Sequence, residues 1–118
     1  MSLNETIITA LSPLGYPVRP DRYKGDEPVY LTFNYNRQCR LFANDMPQFD
    51  ICFVQVHLFA PCGWDSEAVR LEIKQKLFAA GFTWPEETDA GSGDETLDPE
   101  GQHIVFECEI GEGVEVDG

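Results

Sequence analysis

The segment "FDICFVQVHLFAP" (Phe49–Pro61) constrains the fold more than any other. Side chains along a strand alternate between two faces. Here one face carries Cys52, Val54, Val56 and Leu58, and the other carries Ile51, Phe53, Gln55, His57 and Phe59. Both faces are partly apolar. A half-solvated sheet would show a clean apolar/polar alternation instead. The pattern predicts a central strand, or a strand with one face on a helix and the other on a partner subunit.

The rest of the chain supplies partners for that strand. "VYLTFNYN" (Val29–Asn36) and "QHIVFECEI" (Gln102–Ile110) alternate in the same way. In the first, Val29, Leu31, Phe33 and Tyr35 share a face. "YPVRPDRY" (Tyr16–Tyr23) is extended but has two prolines, which lack ladder donors and suit only an edge strand. "QCRLFANDMPQ" reads as a short strand and a turn at Asn44-Asp45, and "FTW" (Phe82–Trp84) as a weak strand. Two helices complete the set. The first opens on the box Ser2…Glu5, with Asn4 as a competing cap. It repeats apolar residues at Ile7, Ile8, Leu11 and Leu14, and ends at Pro13 and Gly15. The second, Trp64–Phe82, carries the stripe Val69, Ile73, Leu77 and Ala80. Gly81 is placed to end it and Phe82 to pack beyond it.

The expectation is one α+β domain over residues 1–110. Its sheet is mostly antiparallel, of four to five strands, with two helices packed on one face. The order is α-β-β-β-α-β-β. Residues 86–101 are expected to be a flexible acidic loop and 111–118 a disordered tail.

Charge is divided sharply along the chain. Residues 1–76 hold nine acids and all eight Lys and Arg, a balance of −1, while residues 77–118 hold twelve acids and no Lys or Arg, a balance of −12. Such a surface repels phosphate backbones and anionic lipid. It favours basic partners, or a place beside DNA that must not stick. No apolar run is long enough for a transmembrane helix, and no basic segment precedes an apolar one at the N-terminus. Four cysteines without a CxxC pair are expected as reduced thiols, with Cys52 and Cys108 in the core.

Candidate chemistry is thin. "ETDAGSGDETLDPEG" (Glu87–Gly101) has six acids and no base, yet neither Asp89 nor Asp94 starts an EF-hand register. His57 with Cys62, and His103 with Cys108, offer zinc-type ligands. Five strand steps would hold each pair roughly 17 Å apart on opposite faces. His57 with His103, brought together across strands, is the one arrangement left. No phosphate-binding glycine loop and no nucleophile elbow occurs. The expectation is no enzyme, no metal and no cofactor. The aromatic surplus points instead to a subunit interface, with Phe33, Tyr35, Phe53, Gln55 and Phe59 as its candidates. Glu86, Glu87, Asp89, Asp94, Glu95, Asp98 and Glu100 are the candidate acidic surface, facing a partner or a lumen.

The chain resembles the small tail-completion, or tail-terminator, proteins of long-tailed bacteriophages and prophages. The likeness lies in the order and spacing of an early short helix, "LGYPVRPDRYKGDEPVYLTFNYN" with its expected hairpin, "ICFVQVHLFAP", a helix ending "LFAAGF", and the strand "HIVFECEI". It implies a structural protein that forms a ring, commonly hexameric, at the head-proximal end of the tail tube. There it would contact tube and head-connector proteins, with DNA only passing through the lumen. Its place would be the virion tail, or the host cytoplasm during assembly. The acidic segment is longer than the resemblance leads one to expect. The alternative is a small acidic DNA mimic that occupies a basic protein cleft. Another small binding module or accessory subunit is a third class.

Overall fold

The computed structural model describes residues 2–43, 46–91 and 101–113. It is an α+β fold. Helix α1 is Leu3–Leu11, followed by a 3-10 turn at Ser12–Leu14. Strands β1 (Val18–Pro20), β2 (Tyr30–Ala43) and β3 (Met46–Ala60) lead to helix α2 (Glu67–Ala79), then β4 (Glu86–Asp89) and β5 (Gln102–Gly113). One five-stranded sheet forms in the order β1-β2-β3-β5-β4, which puts β3 at its centre.

Local chemistry sets the helix ends. Ser2 caps α1 by accepting from the Glu5 amide at 3.1 Å. Asn4 does not cap; its Oδ1 accepts from the Tyr35 hydroxyl at 2.6 Å and ties α1 to β2. Helix α2 ends in the double bond of a Schellman cap, Phe82 N to Leu77 O and Gly81 N to Phe78 O, both 3.1 Å. Gly81 takes φ +104°, which costs a glycine little. Phe82 is thereby turned into the core, at 2% exposure.

Both helices pack on one face of the sheet. Leu3, Ile7 and Leu11 of α1, Ile73 and Leu77 of α2, and Phe82 meet Leu31 and Phe33 of β2, Cys52 through Leu58 at alternate positions of β3, and Ile104, Phe106 and Cys108 of β5. The inward residues share rows across the ladder: Phe33 with Val56 and Phe106, Leu31 with Leu58 and Ile104.

Several expectations are corrected. Strand β1 pairs with β2 in parallel, not as a hairpin. It stops after three residues at Pro20. Asp21 then turns the chain at φ +64°, and residues 21–29 return it to enter β2 in the same direction. Strand β2 continues through the "QCRLFA" segment to Ala43, while Asn44 and Asp45 lie outside the described residues. "FTW" is not a strand: Phe82 goes to the core, and Thr83 holds β5 through two bonds to the Glu109 backbone, of 2.8 and 2.9 Å. The fourth strand starts one residue past Pro85, at Glu86, inside the stretch expected to be loop. Strand β5 likewise extends to Gly113, into the stretch expected to be tail.

A knot of polar bonds fixes the start of β5. Gln102 Nε2 donates to the carbonyls of Pro61 (3.0 Å) and Trp64 (2.6 Å), and its Oε1 accepts from Ser66 Oγ at 2.9 Å. Gly101 beside it is buried at φ +102°, where a Cβ would strike the Ala60 carbonyl oxygen and the Cys62 amide.

Two substitutions test this account by chemical denaturation. Phe33→Ala, at a 1% exposed position, should cost about 3–5 kcal/mol. Gly101→Ala should cost more than about 2 kcal/mol, because neither the backbone angle nor the space admits a side chain.

Candidate functional site

The face of the sheet away from the helices is the candidate site. It carries the odd-numbered residues of β3 from Ile51 to Phe59, each partly exposed. Residues directly opposite in the ladders share this face, which gives successive rows. Tyr30, Phe59 and His103 form one row; Thr32, His57, Val105 and Thr88 the next. Asn34, Gln55, Glu107 and Glu86 follow, and then Asn36, Phe53 and Glu109.

The face is graded. At one end rings stack across the strands: Tyr30 on Phe59 at 4.9 Å between centroids and Phe59 on His103 at 4.4 Å, with Tyr23 from the β1–β2 connection tilted against Tyr30 at 4.8 Å. His57 joins them, its Nδ1 2.9 Å from His103 Nε2 and its Nε2 2.9 Å from Asn34 Oδ1. Burial, and then the neighbouring His103, hold the His57 pKa below its ordinary value. Toward the other end lies a depression of about 580 Å³, lined in part by Asn36, Phe53, Trp84, Glu86, Glu107 and Glu109. Three carboxylates thus border it.

The expected interface residues divide between the two faces. Phe53, Gln55 and Phe59 stand together on the open face. Phe33 does not: it is core, opposite Val56 on the helix side. Tyr35 also lies on the helix side, packed against the core with its hydroxyl on Asn4. Of the acidic candidates, Glu86, Glu87 and Asp89 belong to β4. Glu86 faces the open side, opposite Glu107. Glu87 faces α2, where Arg70 and Lys74 reach it at 3.3 and 3.1 Å. Asp89 Oδ1 accepts from the Gly91 amide at 3.0 Å. Asp94, Glu95, Asp98 and Glu100 lie outside the described residues.

Sequence reasoning passed over Asn34, Glu107, Glu109 and Trp84. Strict alternation puts Asn34 on the face of its strand opposite Leu31 and Phe33, and Glu107 and Glu109 opposite Ile104, Phe106 and Cys108, but without the register no row could be assembled. Trp84 carried no periodic signal. It is 49% exposed and meets Phe78, itself 57% exposed, edge-on at 5.7 Å.

Among the described residues, no three His, Cys, Asp or Glu side chains gather as a metal cluster, and no helix is long and apolar enough to cross a membrane. The Cys108 thiol, raised to about 12 by burial and by Glu109, stays protonated and packs as an apolar group.

One similar solved structure, under a name that states no function, covers 99% of both chains with a TM-score of 0.52 and 14% identity. At that identity the likeness concerns the fold alone. No family model matches the chain, and no curated protein does.

The depressed His57 pKa has a sign that can be tested. Below the ordinary value of 6.5 the unfolded chain binds a proton that the folded chain resists, so stability falls as pH drops through that value toward the folded pKa. His57→Gln should flatten this part of the stability–pH curve, measured by denaturant midpoints between pH 7.5 and about 5.5.

Proposed function

We propose that this chain is a non-enzymatic assembly protein of a long-tailed phage or prophage. It completes the tail tube at the head–tail junction, as a ring built by protein–protein contacts. The observation that carries this reading is the two-sided sheet. One side is closed by the helices; the other offers stacked aromatics, amides and carboxylates on three long paired strands. A surface of that composition suits a protein interface with an aromatic anchor and a polar surround.

Two further features support it. Over the β2 side chains that are described, Tyr30 to Gln38, the last buried one is Phe33, yet the strand runs on to Ala43, paired with β3. The hairpin therefore projects beyond the helical layer, and the molecule is elongated, 55 × 26 × 25 Å. Such an arm can reach a neighbouring subunit. Glu86 and Glu107 also stand directly opposite one another. Like charges so placed cost stability, and a basic group from a neighbour would relieve them. In a ring, the same acids would discourage passing DNA from adhering. An acidic DNA mimic draws on the net charge alone and gives the aromatic rows no role.

Phe53→Asp is the test. Phe53 is half-buried on the open face, so the variant should fold with a loss of about 1–2 kcal/mol. Burying its unpaired carboxylate in a subunit contact should weaken assembly by about 3–5 kcal/mol. Light scattering against concentration, with and without tail-tube protein, should show rings for the natural chain and monomers for the variant. A natural chain that stays monomeric in both conditions, or a variant that still completes tails, overturns the reading.

A further inference from the structure

His57 and His103 form a diagonal cross-strand pair, since the ladder sets His57 opposite Val105 and Phe59 opposite His103. Side chains in this relation can touch on one face, and here the two rings come within 2.9 Å, nitrogen to nitrogen. The surrounding bonds are consistent with one assignment of the hydrogens. Asn34 Nδ2 donates to Gln55 Oε1 at 3.5 Å, which turns its Oδ1 toward His57. That oxygen can only accept, so His57 donates from Nε2 at 2.9 Å. In a neutral imidazole the other nitrogen then holds a bare lone pair. His57 Nδ1 therefore accepts from His103 Nε2.

We infer that His57 and His103 form a two-imidazole site for copper(II) or nickel(II), with Asn34 supporting His57 from behind. A histidine that ligates through one nitrogen while donating to an oxygen from the other is the usual supported metal ligand, and the Asn34 bond already provides that support. Bonds of about 2.0–2.1 Å from two nitrogens at the observed separation would meet at about 90°. That angle suits adjacent positions of a square-planar or octahedral field, the geometry copper(II) and nickel(II) prefer. A tetrahedral zinc site would need the nitrogens about 3.3 Å apart.

On binding, His57 keeps its bond to Asn34, and His103 swings so that its Nε2 lone pair meets that of His57 Nδ1 on one point. His103 moves its hydrogen from Nε2 to Nδ1, so two neutral imidazoles lose no proton. Water fills the remaining positions. This site stands independently of the assembly reading: a monomer can hold it.

The test is titration of copper(II) into the untagged, chelator-stripped chain. Isothermal calorimetry should show one ion per chain, and electron paramagnetic resonance should show coupling to two imidazole nitrogens. His57→Gln and His103→Gln should each weaken binding about tenfold or more, and Asn34→Ala about tenfold. Circular dichroism checks that each variant folds. The natural chain gives a second readout that needs no variant: substoichiometric copper(II) should broaden the amide signals around His57 and His103 first. Absence of binding, broadening centred on Cys62 or the acidic stretch, or a folded histidine variant with unchanged affinity overturns the inference.

Discussion

The register of β3 between β2 and β5 is the constraint on which the rest of the structure depends. Burial alternates along it without a break from Ile51 to Ala60. A slip of one residue against either neighbour would exchange every side chain between the core and the open face. It would expose Val54, Val56 and Leu58 and bury Phe53, Gln55 and His57 under the helices. The burial of a glutamine and a histidine without their present partners would oppose it. The Gln102 bonds pin one end of this register, and Gly101 admits the close backbone approach beside them. Every row of the open face, from the ring stack to the glutamates, inherits its alignment from there.

Much of this was legible from residue patterns, because burial and periodicity are local signals. The two-faced character of Phe49–Pro61 led to a central strand with a helix layer on one side. The prolines led to an edge strand, and Gly81 and Phe82 to the end of the second helix. The failures share a physical cause. Phe33 and Tyr35 were grouped with Phe53 because all three are aromatic, whereas the face each occupies is decided by register between strands far apart in sequence. Charge and glycine content argue for a loop over the whole acidic stretch. Its first four described residues pair with β5 nonetheless, since Glu87 finds Arg70 and Lys74 on α2. These two bases belong to the less charged part of the chain, and a composition count cannot reveal a contact of that kind.

Among the described residues, the acids of β4 and β5 are divided between the two sides of the sheet. Glu86 and Glu87 are neighbours in sequence but occupy opposite sides of the sheet. Glu107 and Glu109 join Glu86 on the open face, where the amides of Asn34, Asn36 and Gln55 share their rows and the row of Thr32, His57, Val105 and Thr88 lies between them and the aromatic end. The result is one surface with a ring-rich pole and a carboxylate pole, held on strands that cannot rotate relative to each other.

The two margins of the sheet carry a last consequence. On one side is β1, three residues long and closed by proline; on the other is β4, four residues long with three acids. Yet β1 covers only Leu31–Phe33 of β2, so from Asn34 to Ala43 the outer edge of β2 has no strand beside it among the described residues. A backbone edge of that length can take up a strand from another molecule. The two margins are thus unequal: the β2 side is open to strand addition, while the acids of β4 discourage it on the other.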